Sequence, residues 1–273
     1  MPFVQTRVGR VFYAEQGSGL PVVLLHATLH DHTDFDAVAG PLAAAGYRVL
    51  AVDWPGHGRS ATPDGPGPDG VGPVTAPLLV EVLADFAAEL DLAPAVFIGN
   101  SVGGYAAAKI ALDHPDRVAG LVLVNAGGFV KVPPLAPRVL GIPAVNRLVF
   151  PRLVPQYMKP DSDRLRAITR RVQERARSTA GAAVSAALWR SFGDPAYDLR
   201  ADGHRLGVPV LLAWGARDII LPKSAARRTQ AAIPGADLQL LPTGHVVFAS
   251  DPDGFLGVVL PFLESVTVAG STQ

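Results

Sequence analysis

The chain has 273 residues, 49% of them hydrophobic and 18% charged, which is enough apolar side chain to bury a large core and too much for a chain disordered throughout. Its 24 Lys and Arg balance 24 Asp and Glu, so it lacks the field of a general nucleic-acid or anionic-membrane binder. It has no cysteine, which removes disulfides, zinc–thiolate sites, iron–sulfur clusters and cysteine nucleophiles together and fits a reducing, cytoplasmic setting. Met1 to Arg10 lacks the basic start and apolar run of a signal peptide. No stretch reaches the roughly 18 apolar residues of a membrane span.

In chain order, Val4 to Glu15 suits an antiparallel hairpin at a sheet edge. Val22 to Leu25, Tyr47 to Val52, Ala95 to Ile98, Val118 to Val124, Val208 to Ala213 and, more weakly, Asp237 to Leu241 read as strands. Their nearly continuous apolar character suits strands covered on both faces. Helices are expected over Phe35 to Ala45, Ala76 to Leu90, Ser101 to Asp113, Lys223 to Ile233 and Pro252 to Val266. This alternation predicts an α/β fold with a mostly parallel central sheet flanked by helices. Thr62 to Pro77, rich in Pro and Gly, reads as a surface loop, and the Ser/Thr/Gln tail after Val268 as frayed. Residues 129–207 lack a strand pattern: the segment opens Pro-rich and turns helical from Ser162 to Leu188. It is expected to be a helical cap inserted between two core parts, 1–128 and 208–273, and is short for a second domain with its own core.

The sharpest chemical signal is Gly99-Asn100-Ser101-Val102-Gly103, set between a strand and a helix. A Gly-x-Ser-x-Gly turn in that setting exposes the serine hydroxyl on a tight, strained reversal. The two glycines avoid collisions that side chains would cause. The helix start aims free N–H groups at developing negative charge. A hydroxyl needs a base, and the base needs an orienting acid. Asp218 follows a strand in Trp214-Gly215-Ala216-Arg217-Asp218, and His245 follows the next one in Thr243-Gly244-His245. Both then sit at strand ends on one edge of the sheet, where α/β sites form. Helix capping by Asp218 and a plain loop role for His245 are the alternatives.

These motifs, with LLHAT after the strand at Val22 and DWPGHGRS at Asp53 to Ser60, resemble the α/β-hydrolase superfamily over nearly the whole chain. The resemblance implies a Ser101, Asp218 and His245 triad and an oxyanion hole from the backbone N–H of Val102 and, on the loop after Leu25, of Thr28 with Ala27 beside it. Relatives mostly carry His-Gly where this chain has His26-Ala27. Serine at the elbow, where dehalogenases and epoxide hydrolases of this fold carry aspartate, points to acyl transfer on a small or medium apolar ester. A carbon–carbon bond hydrolase is the nearest rival through its Gly-Asn-Ser elbow, although Val246 follows His245 where those enzymes commonly have Trp. A cofactor-free perhydrolase shares the triad, and a non-catalytic ligand-binding protein shares the fold.

Leu29, Trp189, Phe192 and Val246 are expected to border the substrate. No cofactor or metal is expected: His30-Asp31-His32-Thr33-Asp34 has ligand-type residues, yet loop neighbours seldom converge on an ion, and helix capping is the plainer reading. His26 is expected to support the oxyanion loop. Asp53, His57 and Arg59 belong to a structural turn, which Gly56 and Gly58 permit. The arginines of Arg164 to Arg177 read as a solvated helix face, or else one of them turns to the pocket and selects an acidic substrate. The partner is a small molecule; monomer and homodimer both stay open.

Overall fold

The computed structural model describes residues 2–63, 72–92 and 94–270. The surface loop expected over Thr62 to Pro77 lies partly outside these residues, as does the end of the tail after Val268.

Eight strands form one sheet: β1 (Phe3–Thr6), β2 (Gly9–Gln16), β3 (Leu20–Leu25), β4 (Tyr47–Val52), β5 (Ala95–Asn100), β6 (Val118–Val124), β7 (Val210–Gly215) and β8 (Asp237–Leu241). Their order is β1-β2-β4-β3-β5-β6-β7-β8. β1 and β2 form the expected antiparallel hairpin, β2 runs antiparallel to β4, and every other pairing is parallel. Every residue of β5 and β7 is buried, as both-face coverage requires, whereas edge strand β8 buries only Leu241 fully. β7 begins two residues later than expected, after Pro209, because proline has no N–H to donate to the ladder.

One core lies under α2 (Ala76–Glu89), α3 (Val102–Asp113) and α8 (Lys223–Ala232). The other lies under α1 (Asp36–Ala44) and α10 (Pro252–Gly270). A short helix, α9 (Val247–Ser250), precedes α10.

Between β6 and β7 come α4 (Leu135–Leu140), α5 (Pro143–Met158), α6 (Asp163–Arg177) and α7 (Thr179–Ser191). The Pro-rich opening is therefore more helical than its sequence suggests. Pro143 stands at the first position of α5, where a missing N–H costs nothing. The helical stretch expected from Ser162 to Leu188 is two helices, divided at Ser178, which turns extended (ψ 147°) and accepts the Gly181 N–H at 3.0 Å as the cap of α7. Among the described residues no helix is long and apolar enough to cross a membrane.

Candidate active site

Ser101 stands between the last residue of β5 and the first of α3. Its backbone is at φ 57° and ψ −114°, a conformation that a residue with a side chain adopts only where its surroundings enforce it. The enforcing contacts are specific. The Ser101 N–H donates to Val124 O at 3.1 Å, and its carbonyl accepts the Gly127 N–H at 2.9 Å. A Cβ on Gly99 would overlap the Gly103 carbonyl, and one on Gly103 would overlap the Leu25 carbonyl. Strand, turn and helix thus approach more closely than any other residue allows.

Asp218 and His245 arrive from the ends of β7 and β8. His245 Nδ1 donates to Asp218 Oδ2 at 2.7 Å, and both side chains are buried. Asp218 Oδ1 accepts the Ile220 N–H at 2.7 Å, and Asn125 Nδ2 donates to Oδ2. Burial pushes the Asp218 carboxyl up. The electrostatic pairing with His245 and these three hydrogen bonds outweigh it and hold the group below its ordinary range. With Nδ1 committed to the carboxylate, His245 Nε2 is left as the acceptor. Ser101 is half-buried, and its hydroxyl is not hydrogen-bonded to His245 in this arrangement.

The turn after β3 is scaffolded by two neutral histidines. His26 bonds Ala27 O through Nδ1 at 2.8 Å and accepts the Trp54 N–H on Nε2 at 3.0 Å. His57 bonds Pro55 O through Nδ1 at 3.0 Å and accepts the Leu29 N–H on Nε2 at 3.2 Å. Burial lowers both pKa values, His57 strongly and with help from Arg175, so each ring keeps one donor and one acceptor nitrogen. The His30 N–H closes the turn on Ala27 O at 3.2 Å. The Leu29 N–H is therefore spent, while the Thr28 N–H has no acceptor among the described residues. The backbone of Ala27 is outside the left-handed region, so its methyl brings no backbone strain.

Of the other expected site residues, Leu29 (φ 71°) and Val246 are almost fully buried in the α1/α10 core. Trp189 and Phe192 are half-buried in an aromatic run, with Phe150–Trp189 centroids at 5.7 Å, Trp189–Phe192 at 5.2 Å and Phe192–Tyr197 at 4.6 Å.

The His30 to Asp34 side chains do not gather around one point. Asp31 caps the turn leading to α1, accepting the Thr33 N–H at 3.0 Å, and pairs with Arg171 at 2.7 Å. His32 Nδ1 bonds both Asp53 oxygens at 2.9 Å, and His30 bonds Asp34. Among the described residues no group of three or more His, Cys, Asp or Glu is arranged to hold a metal. The solvated arginine face needs correction. Arg164, Arg166, Arg170 and Arg177 are exposed, but Arg171 and Arg175 turn inward. Arg171 meets Asp31 and Asp34, whereas Arg175 Nε is buried without a hydrogen-bond partner.

A family profile for the alpha/beta hydrolase fold matches residues 21–252. The chain belongs to the alpha/beta hydrolase fold family. It is 30% identical over 93% of its length to a 2-hydroxy-6-oxononadienedioate/2-hydroxy-6-oxononatrienedioate hydrolase of Cupriavidus pinatubonensis, covering 90% of that protein. It is 29% identical over 90% of its length to a pimeloyl-[acyl-carrier protein] methyl ester esterase of Neisseria meningitidis, covering 94% of it. The crystal structure of a hydrolase from Pseudomonas aeruginosa superposes with a TM-score of 0.80 at 26% identity, over 96% of this chain and 97% of that one.

Asn125 and Tyr157 of this hydrolase escape sequence reasoning, as does what Asn100 bonds within the elbow. Asn125, just after β6, braces Asp218 and accepts the Gly215 N–H at 3.0 Å. Asn100 Nδ2 spans Val124 O and His245 O, each at 3.0 Å, tying the backbone of His245 to β6. Tyr157 of α5 lays its ring against His245, with centroids 5.7 Å apart and planes at 79°. Asn125, directly past a buried strand on the edge that carries Asp218, and Asn100, inside the elbow motif, had positional signals; Tyr157 had none.

Proposed function

We propose that this α/β hydrolase is a serine esterase acting on small or medium apolar carboxylic esters. The carrying observation is the buried His245–Asp218 pair, bonded at 2.7 Å on the same sheet edge as the strained Ser101 turn. In this reading His245 Nε2 takes the Ser101 proton as Oγ attacks the ester carbonyl. The contact between the two closes on substrate binding, as catalytic hydrogen bonds commonly tighten from a ligand-free arrangement. The oxyanion is held by the N–H groups of Val102, first in α3, and Thr28, each supplying about 3 kcal/mol of transition-state stabilisation. His245 then protonates the leaving alcohol. A water that gives its proton to His245 releases the acid and regenerates Ser101. Asp218 keeps the imidazole in the Nδ1–H tautomer and balances its charge as imidazolium. The helices of residues 129–207 form a cap over the site, and Leu29, Trp189, Phe192 and Val246 border the substrate.

Ester specificity is supported by the Neisseria esterase, matched along nearly its whole length. Carbon–carbon bond hydrolysis is the second reading, favoured by the 30% identity to the Cupriavidus hydrolase. The test is turnover of p-nitrophenyl esters of increasing acyl length beside a vinylogous diketone, with labelling of Ser101 by a fluorophosphonate. The esterase reading expects labelling, ester turnover and its loss in Ser101→Ala. Full turnover in Ser101→Ala overturns it, and diketone cleavage outpacing every ester moves the assignment to the second reading.

A further inference from the structure

A second imidazole–carboxylate pair lies beside the first. His30 and Asp34 are each 1% exposed, and His30 Nδ1 bonds Asp34 Oδ2. That leaves Nε2 as the acceptor, and Tyr157 Oη lies 3.1 Å from it. Arg171 Nη2 holds the other Asp34 oxygen at 2.6 Å, and its Nε reaches Asp31 at 2.7 Å. Hydroxyl, imidazole and carboxylate therefore run in a line, fixed at the far end by a guanidinium. Each is satisfied, which is the condition under which a buried polar network rigidifies its surroundings.

Two members of this line, Tyr157 at its near end and His30 in its middle, reach both working parts of the proposed mechanism. Tyr157 sets its ring against His245, and its carbonyl lies 2.5 Å from where a Cβ on Gly244 would be, so the end of α5 bears on the backbone just before His245. His30 is the last residue of the turn that presents the Thr28 N–H and closes it on Ala27 O. That turn carries Leu29 in a left-handed conformation at φ 71°, which outside contacts must hold.

We propose that Tyr157, His30 and Asp34 form a positioning relay that sets the imidazole of His245 and the Thr28 N–H with one hydrogen-bonded chain. None of the three touches the reacting atoms. Their effect is to hold base and oxyanion donor in one register, where an error of about 1 Å costs on the order of 100-fold in rate. The inference rests on the esterase reading.

The test uses the full-length protein and p-nitrophenyl butyrate, with each rate referred to the number of Ser101 residues finally labelled by a fluorophosphonate. Tyr157→Phe keeps the ring and removes the hydroxyl. It is expected to lower kcat about 10- to 100-fold with KM within about twofold. His30→Gln is expected to do the same. The double variant should fall no further than the worse single one, because both break one chain. Val154→Ala, a buried packing change one turn earlier in α5, should keep kcat per labelled site within about twofold. The proposal is overturned if Tyr157→Phe keeps the parent kcat per labelled site, if the two losses multiply, or if Val154→Ala loses as much. A parent enzyme that neither labels nor hydrolyses the ester refutes the esterase reading itself.

Discussion

Asp218→Asn changes one atom and keeps the shape, so its effect is set by the hydrogen bonds that converge on position 218. Oδ2 receives two donors, His245 Nδ1–H and Asn125 Nδ2–H, and Oδ1 receives the Ile220 N–H at 2.7 Å. An amide has one oxygen and one NH2 to put in these places. With the oxygen toward His245, the NH2 confronts the Ile220 N–H, and a buried donor pair goes unsatisfied at about 1–3 kcal/mol. With the oxygen toward Ile220, the NH2 confronts Asn125 and turns His245 into an Nδ1 acceptor. The proton moves to Nε2, and the ring cannot take one from Ser101. In either orientation the imidazolium also loses its buried counter-charge. The expected loss in kcat/KM on p-nitrophenyl butyrate is on the order of 10³–10⁴, or about 4–5.5 kcal/mol of transition-state stabilisation. Far-ultraviolet circular dichroism and the thermal midpoint check that the variant folds. A well-folded Asp218→Asn protein retaining a tenth of the parent kcat/KM refutes the assignment of Asp218 as the orienting acid.

Gly103→Ala drives a methyl into the Leu25 carbonyl and should cost about 3 kcal/mol or more in a urea titration. Gly46→Ala meets nothing within 4 Å but sits at φ +93° and should cost only about 1–2 kcal/mol; equal losses would contradict the close-approach argument. Arg175→Met removes a buried nitrogen that has no partner and keeps much of the stem packing, so the thermal midpoint should hold or rise by about 2–4 °C. A drop of several degrees would reveal an interaction that the arginine makes. The Asp218 pKa is depressed in the folded protein. Its stabilising contribution is therefore present above the unfolded value near 4 and is lost as pH falls through the folded value. Urea titrations below about pH 4 should accordingly show the stability gap between parent and Asp218→Asn closing as acid is added; a gap that widens has the wrong sign.

The order of strands and helices, the tight turn at Ser101 and the strand-end positions of Asp218 and His245 were legible because each rests on local pattern. Apolar runs dictate buried strands, a Gly-flanked serine between strand and helix dictates the reversal, and parallel connections bring successive strand ends to one edge. Tyr157 and the inward turn of Arg171 were not legible, and Asn125 was legible only as a strand-end position, not as the brace of Asp218. Tyr157 and Arg171 meet His30 and Asp34 across 127 and 137 residues of chain, and nothing in an Arg-rich helix or a Pro-interrupted one says which side chains face the sheet. That depends on where Ser178 breaks the α6–α7 segment and on how α5 lies over Gly244. Local periodicity fixes which face of an element is apolar. Which polar groups on that face find each other is decided by how the elements pack, because a buried donor or acceptor takes its partner from whatever element the packing brings within hydrogen-bond reach.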